Sequence, residues 1–278
     1  MKTIFCFVFV LLGIAAAVSL FTYSFFWYEK AEAARKDRSK RLQWMMLRGI
    51  LSAVAGIPFL MLTYPLGFVP SLWRPRTITP GQPVIILAHG LFHNPSAWLI
   101  FKRRLHKAGF TNVFVMSYSS FFTTFEQTLK KFERFVSDSA SAVPGSPVYL
   151  VGHSLGGLLS RVYAEKRLGG VTPAAVITLG SPHRGSKMVA FGLGTLAASL
   201  QYRGPLFEEL ERNSASLLCP AFALYSPVDN MVLPSEGLKA PYNEWTYFET
   251  SPVSHVSMLY SGNSVRKVIE LIRNGASS

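Results

Sequence analysis

Cysteine and charge are both scarce in this sequence, and each scarcity closes off a class of protein. Only two cysteines occur in 278 residues, Cys6 inside a long apolar run and Cys219 far downstream. That pair offers neither a disulfide framework nor the repeated spacing of a cysteine metal site, and it points to neither redox compartment. Charged residues make up 15% of the chain, and acids are the rarer sign, 15 Asp and Glu against 28 Lys and Arg. The resulting excess of +13 would suit nucleic acid or an anionic membrane surface. No nucleic-acid-binding module is recognisable, so the membrane is the preferred partner and nucleic acid is not expected. Internal repeats and low-complexity segments are absent as well.

What the chain has in quantity is apolar side chains, 49% of the total, and they are unevenly spread. Residues 4–28 carry no charge, nor do residues 49–73. Either run is long enough, at 1.5 Å per helical residue, to cross a hydrocarbon core. Between them, Lys30, Arg35, Lys36, Arg38, Lys40 and Arg41 face Glu29, Glu32 and Asp37. Residues 1–76 therefore predict a membrane-anchoring hairpin, with spans at about 4–28 and 49–70 and a basic loop at 29–48. The Lys/Arg bias holds that loop in the cytoplasm and puts the C-terminal domain on the non-cytoplasmic side of an inner or plasma membrane. Lys2, Arg74 and Arg76 pull the other way but are fewer. Two alternatives stand beside the hairpin. Ala31-Glu32-Ala33 has the small-x-small form of a signal-peptide cleavage site. The second run, interrupted by Pro58, Pro65 and Pro70, would also suit a re-entrant or interfacial segment, or an apolar helix packed on the domain.

Residues 77–278 read as one catalytic-sized domain, entered through a boundary rich in proline at 70, 75, 80 and 83. Short apolar runs at 83–88, 113–116, 148–151, 175–179 and 221–225 predict buried strands, and 245–248 is a further strand-like run. Helical patterns fill 96–108, 123–140, 155–168 and 265–272. Strands alternating with helices imply an α/β fold with a mostly parallel sheet covered on both faces.

The chemistry centres on Gly152-His153-Ser154-Leu155-Gly156, set between the run 148–151 and a helical stretch. A serine hydroxyl needs a base for its proton and a turn that exposes its oxygen. Gly152 and Gly156 relieve the crowding where a strand bends sharply into a helix, leaving Ser154 at the helix start as the nucleophile. For this architecture an acid and then a histidine should follow along the chain. Asp229 stands in a turn after the fifth strand, where catalytic groups gather in open α/β sheets, and His255 follows the aromatic run. His255 is expected as the base and Asp229 as the group that orients it. His183 is the weaker rival for base, Glu236 and Glu249 for acid; His93 sits in an early loop, His106 in a surface helix, and His153 is aimed away from Ser154. A tetrahedral intermediate also needs donors for its oxyanion. The backbone N–H of Leu155 is one, and the N–H of Leu91, in the loop His89-Gly90-Leu91-Phe92, is the other.

Taken together, Ala88-His89-Gly90, Gly152-His153-Ser154-Leu155-Gly156-Gly157, Gly180-Ser181-Pro182-His183-Arg184-Gly185, Asp229 and His255-Val256 resemble the α/β-hydrolase lipases and esterases of the bacterial triacylglycerol lipase type. The likeness covers roughly residues 82–272. It implies an α/β-hydrolase fold and carboxylic-ester hydrolysis through an acyl-enzyme, with His89 and Gly90 supporting the oxyanion loop. Neither cofactor nor metal is expected: the calcium site of such lipases needs acids near the histidine, and Glu249 is the only acid within ten residues of His255. The long lid of such lipases is missing too. The apolar region 186–217 is the one stretch that suits a small lid or acyl wall, and it would equally suit a buried helix.

Tethering beside a bilayer favours an apolar acyl-lipid ester as substrate, since each buried CH₂ contributes roughly 0.8 kcal/mol. A short-acyl carboxylesterase, a thioesterase and an acyltransferase share the triad and stay open. A non-catalytic, membrane-tethered binding domain is the alternative outside enzymology.

Overall fold

The computed structural model describes residues 2–34, 40–213, 216–242 and 244–275. Arg35, Lys36, Asp37 and Arg38 of the expected basic loop lie outside the described residues. Two helices open the chain, α1 (Lys2–Ala34) and α2 (Lys40–Thr63). Two stretches of the described chain, Phe9–Lys30 and Lys40–Phe68, are helical, long and apolar enough to cross a membrane.

Six strands then form one fully parallel sheet: β1 (Val84–Ala88), β2 (Val113–Val115), β3 (Val148–His153), β4 (Ala175–Leu179), β5 (Ala221–Tyr225) and β6 (Trp245–Glu249). Their spatial order is β2-β1-β3-β4-β5-β6. Between them run α3 (Leu99–Lys107), α4 (Phe125–Ser141), α5 (Leu155–Glu165), the short α6 (Thr195–Ser199) and α7 (Pro205–Arg212), and α8 (Gly262–Gly275) closes the chain. All the strands read from the sequence are present. The helix expected over 96–108 starts as a 3₁₀ turn at Pro95–Trp98, capped by the Asn94 side chain, which accepts the Ser96 N–H. The capping box between Thr124 and Gln127 sets the start of α4, each side chain answering the other's backbone N–H.

Alternation along β1 explains the two cores. Val84, Ile86 and Ala88 point into an apolar layer with α4 and α5, while Ile85 and Leu87 point into a second layer with α3 and α8. A strand buried on both faces needs a continuous apolar run, which is how β1 reads in the sequence. The chain steps from β1 outward to β2 and then returns to the other side of β1 for β3. That reversal opens a crevice at the C-terminal ends of β1 and β3, the usual place for ligands in an open α/β sheet.

The hairpin is not a stalk. Tyr23 of α1 donates to the Val228 carbonyl at 3.0 Å, Glu29 pairs with Lys187 at 2.7 Å, and Phe59 of α2 packs its ring against Tyr260. A third apolar cluster, with Tyr23, Phe26, Ala53, Met188, Val228 and Leu233, fills the seam between hairpin and sheet domain. The apolar-helix-packed-on-the-domain alternative thus describes one face of α2, while Trp44, Leu47 and Leu51 on the same helix stay exposed. The segment expected to be a mere boundary is also integrated: Trp73 enters the α3/α8 core, and Lys102 reaches the Leu72 carbonyl.

One glycine decides how closely α5 approaches the sheet. A Cβ on Gly156 would overlap the Ala88 carbonyl at the end of β1. Gly156→Ala is therefore expected to lower the denaturant stability by about 1–3 kcal/mol by overpacking, measured as a shifted urea midpoint with an unchanged m-value.

Candidate active site

Ser154 stands between β3 and α5 with φ +54° and ψ −122°, a conformation that L-residues avoid. Such a strained serine persists only where its surroundings over-determine it, at a cost of roughly 1–3 kcal/mol. Here its N–H is fixed to the Leu179 carbonyl of β4 at 2.9 Å, and its carbonyl receives the N–H groups of Gly157 and Leu158. Gly152 is a glycine because a Cβ there would meet the backbone of Gly156. Leu155 begins α5, so its N–H belongs to the first turn, whose donors have no carbonyl within the helix.

Asp229 and His255 come together as the chain order suggested. His255 Nδ1–H donates to Asp229 Oδ2 at 2.7 Å, and Asp229 Oδ1 accepts the backbone N–H groups of Met231 and Val232, both at 2.9 Å. With both oxygens engaged and the carboxylate buried, the imidazole has a single partner that sets its tautomer and ring plane. Ser154 and His255 line the same cavity, together with Gly90 and Leu91. His89 supports that loop in two ways: its Nδ1–H donates to the Gly90 carbonyl at 2.9 Å, and its ring stacks on Tyr118 at 4.0 Å.

The rivals fall away from the cavity. His183 is buried, pairs with Thr178 Oγ1 at 3.1 Å and packs on Trp245. Glu249 ends β6 on the surface, and Glu236 lies in the 3₁₀ turn Ser235–Leu238; neither lines the cavity. Among the described residues no group of His, Cys, Asp or Glu side chains is arranged to hold a metal ion.

His153, expected to be aimed away from Ser154, is turned to the His255 loop. Its Nε2–H donates to the His255 carbonyl at 3.0 Å, its ring lies 4.6 Å from the His255 ring, and it borders the cavity. His93, placed in the early loop by sequence, stacks parallel to His153 at 5.8 Å and borders the cavity as well. Burial holds His89 down at about 4 and His93 at about 3, and keeps His153 and His183 well below the ordinary histidine value. All four are therefore neutral at pH 7, and His153 acts as a hydrogen-bonding brace with no charge to donate.

Other participants carry no signal in the sequence. Asn230 accepts the His255 N–H at 3.1 Å and donates to Thr22 Oγ1 of α1 at 2.7 Å. Ser52 of α2 accepts the Ser254 N–H at 2.7 Å, and its carbonyl receives Ser257 Oγ–H at the same distance. With Tyr23 on Val228, both the Asp229 loop and the His255 loop are tied to the hairpin. These contacts are 202 to 208 residues apart in sequence, and a lone Asn, Thr or Ser has no pattern to betray it.

The cavity holds about 440 Å³, within the usual range for small-molecule sites. Its inner end is polar and its sides are apolar. Met188, Val189 and Phe191 of the 186–217 region line it, while Leu196, Phe207 and Leu210 of the same region are buried in the core.

A profile of the Alpha/beta hydrolase family matches residues 85–270. Among solved structures, the mature lipase of Bacillus licheniformis superposes with a TM-score of 0.60 at 17% identity, over 71% of this chain and 94% of that one. The esterase domain of a Rhodothermus marinus protein gives 0.50 at 22%, over 73% and 89%. The thioesterase domain from the curacin biosynthetic pathway gives 0.50 at 14%, over 70% and 92%. At such identities the likeness concerns the fold. No curated protein sequence matches the chain significantly.

The buried imidazoles have a measurable consequence. An unfolded histidine takes up its proton near pH 6.5, while folded His89 and His93 do so only at about 4 and about 3. The unfolded chain thus binds more protons between those limits, and stability present above pH 6.5 drains away as pH falls. Each of the two contributes up to about 1.4 kcal/mol per pH unit in that window. Urea unfolding at pH 7 and pH 5 should show this loss, and His93→Gln should flatten it.

Proposed function

The chain belongs to the alpha/beta hydrolase family, and from that premise we propose that it is a serine hydrolase that cleaves carboxylic esters of apolar acyl groups beside a membrane. The observation that carries the reading is the orientation of His255 by Asp229 at the edge of the one cavity that also receives the strained Ser154.

In this reading the ester carbonyl lies with its oxygen toward the backbone N–H groups of Leu91 and Leu155. Ser154 Oγ bonds to the carbonyl carbon as its proton passes to His255 Nε2, and Asp229 stabilises the imidazolium. The tetrahedral intermediate collapses, the C–O bond to the alcohol breaks, and the leaving oxygen takes the proton from His255. Water, deprotonated by the same imidazole, then attacks the acyl-enzyme and releases the acid, returning Ser154 to its hydroxyl form. No cofactor enters any of these steps.

Attachment to a membrane rests on the apolar hairpin. Leu20, Trp27, Trp44, Leu47 and Leu51 turn outward, away from the sheet domain, and large exposed apolar surfaces mark membrane or protein contacts. The Lys/Arg bias of the loop favours the non-cytoplasmic side for the catalytic domain. N-terminal sequencing of the mature protein tests the anchor: a chain that begins after Ala33 has lost α1 as a signal peptide.

A fluorophosphonate probe tests the nucleophile. Wild type and Ser160→Ala should be labelled, because Ser160 Oγ is committed to the Gly156 carbonyl inside the core. Ser154→Ala should not be labelled, and its kcat on a p-nitrophenyl ester should fall by about a million-fold. Absence of labelling in the folded wild type would leave a non-catalytic domain. Turnover of thioesters with none of oxygen esters would move the chain to another class of acyl hydrolase.

A further inference from the structure

The cavity at Ser154 is closed on one side by residues that come from outside the hydrolase domain. Val18, Phe21 and Thr22 of α1 and Ala53 and Ile57 of α2 all line it. Of these only Thr22 is polar, and its hydroxyl is already committed to Asn230. The hairpin thus presents a hydrocarbon wall to the space next to the serine.

That wall is seated by directional contacts. Thr22 on Asn230, Tyr23 on Val228, and Ser52 on Ser254 and Ser257 fix both helices against the acid and base loops. Two glycines allow the approach: a Cβ on Gly49 would overlap the Tyr23 ring, and one on Gly56 would press on Ser257 Oγ. Since the hydrogen bonds determine both the rotation and the height of α1, Val18, one turn before Thr22, and the neighbouring Phe21 have a fixed place in the cavity.

The outer rim joins the two parts of the molecule. Phe21 of α1 meets Phe191 edge-to-face at 5.0 Å, and both rings remain about half exposed, as does Val18. An acyl chain leaving the carbonyl carbon at Ser154 has apolar partners from the inner wall to this rim. A polar acyl group would meet no hydrogen-bonding side chain of the hairpin along that path, since Thr22 is occupied.

We infer that the α1–α2 hairpin is the acyl-chain subsite of the enzyme: Val18 and Phe21, with Ala53 and Ile57 behind them, take up a medium or long saturated acyl chain and select its length. This rests on the reading of Ser154 as the nucleophile. Val18 and Phe21 are specificity residues in it; Thr22 and Ser52 are positioning residues that act through the loops they hold.

The test uses the full-length protein in detergent micelles, with p-nitrophenyl acetate, hexanoate and decanoate as probes and an ethyl fluorophosphonate as a measure of intact catalytic chemistry. Val18→Trp fills the wall and should lower kcat/KM for decanoate at least about tenfold relative to acetate. Phe21→Ala opens the rim and should raise the ratio of the KM for decanoate to that for acetate about tenfold. Phe21 is partly exposed and its truncation leaves the hydrogen-bonded seat alone, so this second variant tests the subsite if Val18→Trp fails to fold. Labelling of both variants at wild-type rate, together with an unaltered acetate-to-decanoate ratio, would overturn the hairpin subsite while leaving the hydrolase reading in place. A wild type that the fluorophosphonate does not label would remove the hydrolase reading itself and the subsite with it.

Discussion

The close approach of α5 to the ends of β1 and β3 is the constraint on which the site depends. Gly156 lies over the Ala88 carbonyl, and Gly152 lies against Gly156, so strand and helix meet in a turn too tight for side chains at either position. Ser154, between them, is forced to positive φ, and its N–H is anchored on β4. The same tight packing brings the His89-Gly90 loop alongside, since β1 and β3 are neighbours with Ala88 opposite Gly152. Ser154, the N-terminus of α5 and the loop after β1 are thus placed by one packing contact, before Asp229 and His255 are considered.

Asp229 and His255 obey a different constraint. They sit on loops after β5 and β6, at the C-terminal end of the sheet, where loops have few backbone partners of their own. Asp229 secures itself through the N–H groups of Met231 and Val232, but the His255 loop draws on external partners: Asn230, His153 and Ser52. A neutral His153 suits this task. Were it charged, it would oppose any positive charge on the His255 ring 4.6 Å away, since like charges at that distance in a buried site repel each other.

Much of this was legible in the sequence, and the division between what was and was not has a physical basis. The strands read correctly because burial on both faces demands continuous apolar runs, and the sharp turn at Ser154 was legible because a tight strand-to-helix turn demands glycine on both sides. Asp229 and His255 followed from chain order and loop position. Illegible were the contacts whose partners lie far apart and whose residue types are common. Thr22, Ser52 and Asn230 are ordinary polar residues, and only the folded chain shows that they meet the catalytic loops. The contact of His153 with the His255 carbonyl was illegible for the same reason, its partner lying 102 residues away in sequence. The boundary near residue 77 was misleading for a related reason. A cluster of prolines marks a change of composition, but Trp73 and the Leu72 carbonyl are already part of the domain's packing.

The hairpin itself carries a sidedness that its overall hydropathy conceals. A helix that meets only lipid has no use for hydrogen-bonding side chains other than to satisfy its own backbone, as Ser19 does on Ala15 and Ser24 on Phe21. Thr22 and Tyr23 instead reach Asn230 and Val228, and Ser52 reaches the base loop. Polar groups inside an apolar helix are expensive in hydrocarbon and so turn toward protein. Leu20 and Trp27 on α1, and Trp44 and Leu51 on α2, turn the other way. The two faces therefore have separate tasks. One resembles lipid in composition; the other is shaped to hold the loops that carry Asp229 and His255. If the outer face is the part that enters a bilayer, attachment and the geometry of the cavity share the same two helices, and a change that shifts α1 along its axis must move Asn230 and, through it, the His255 loop.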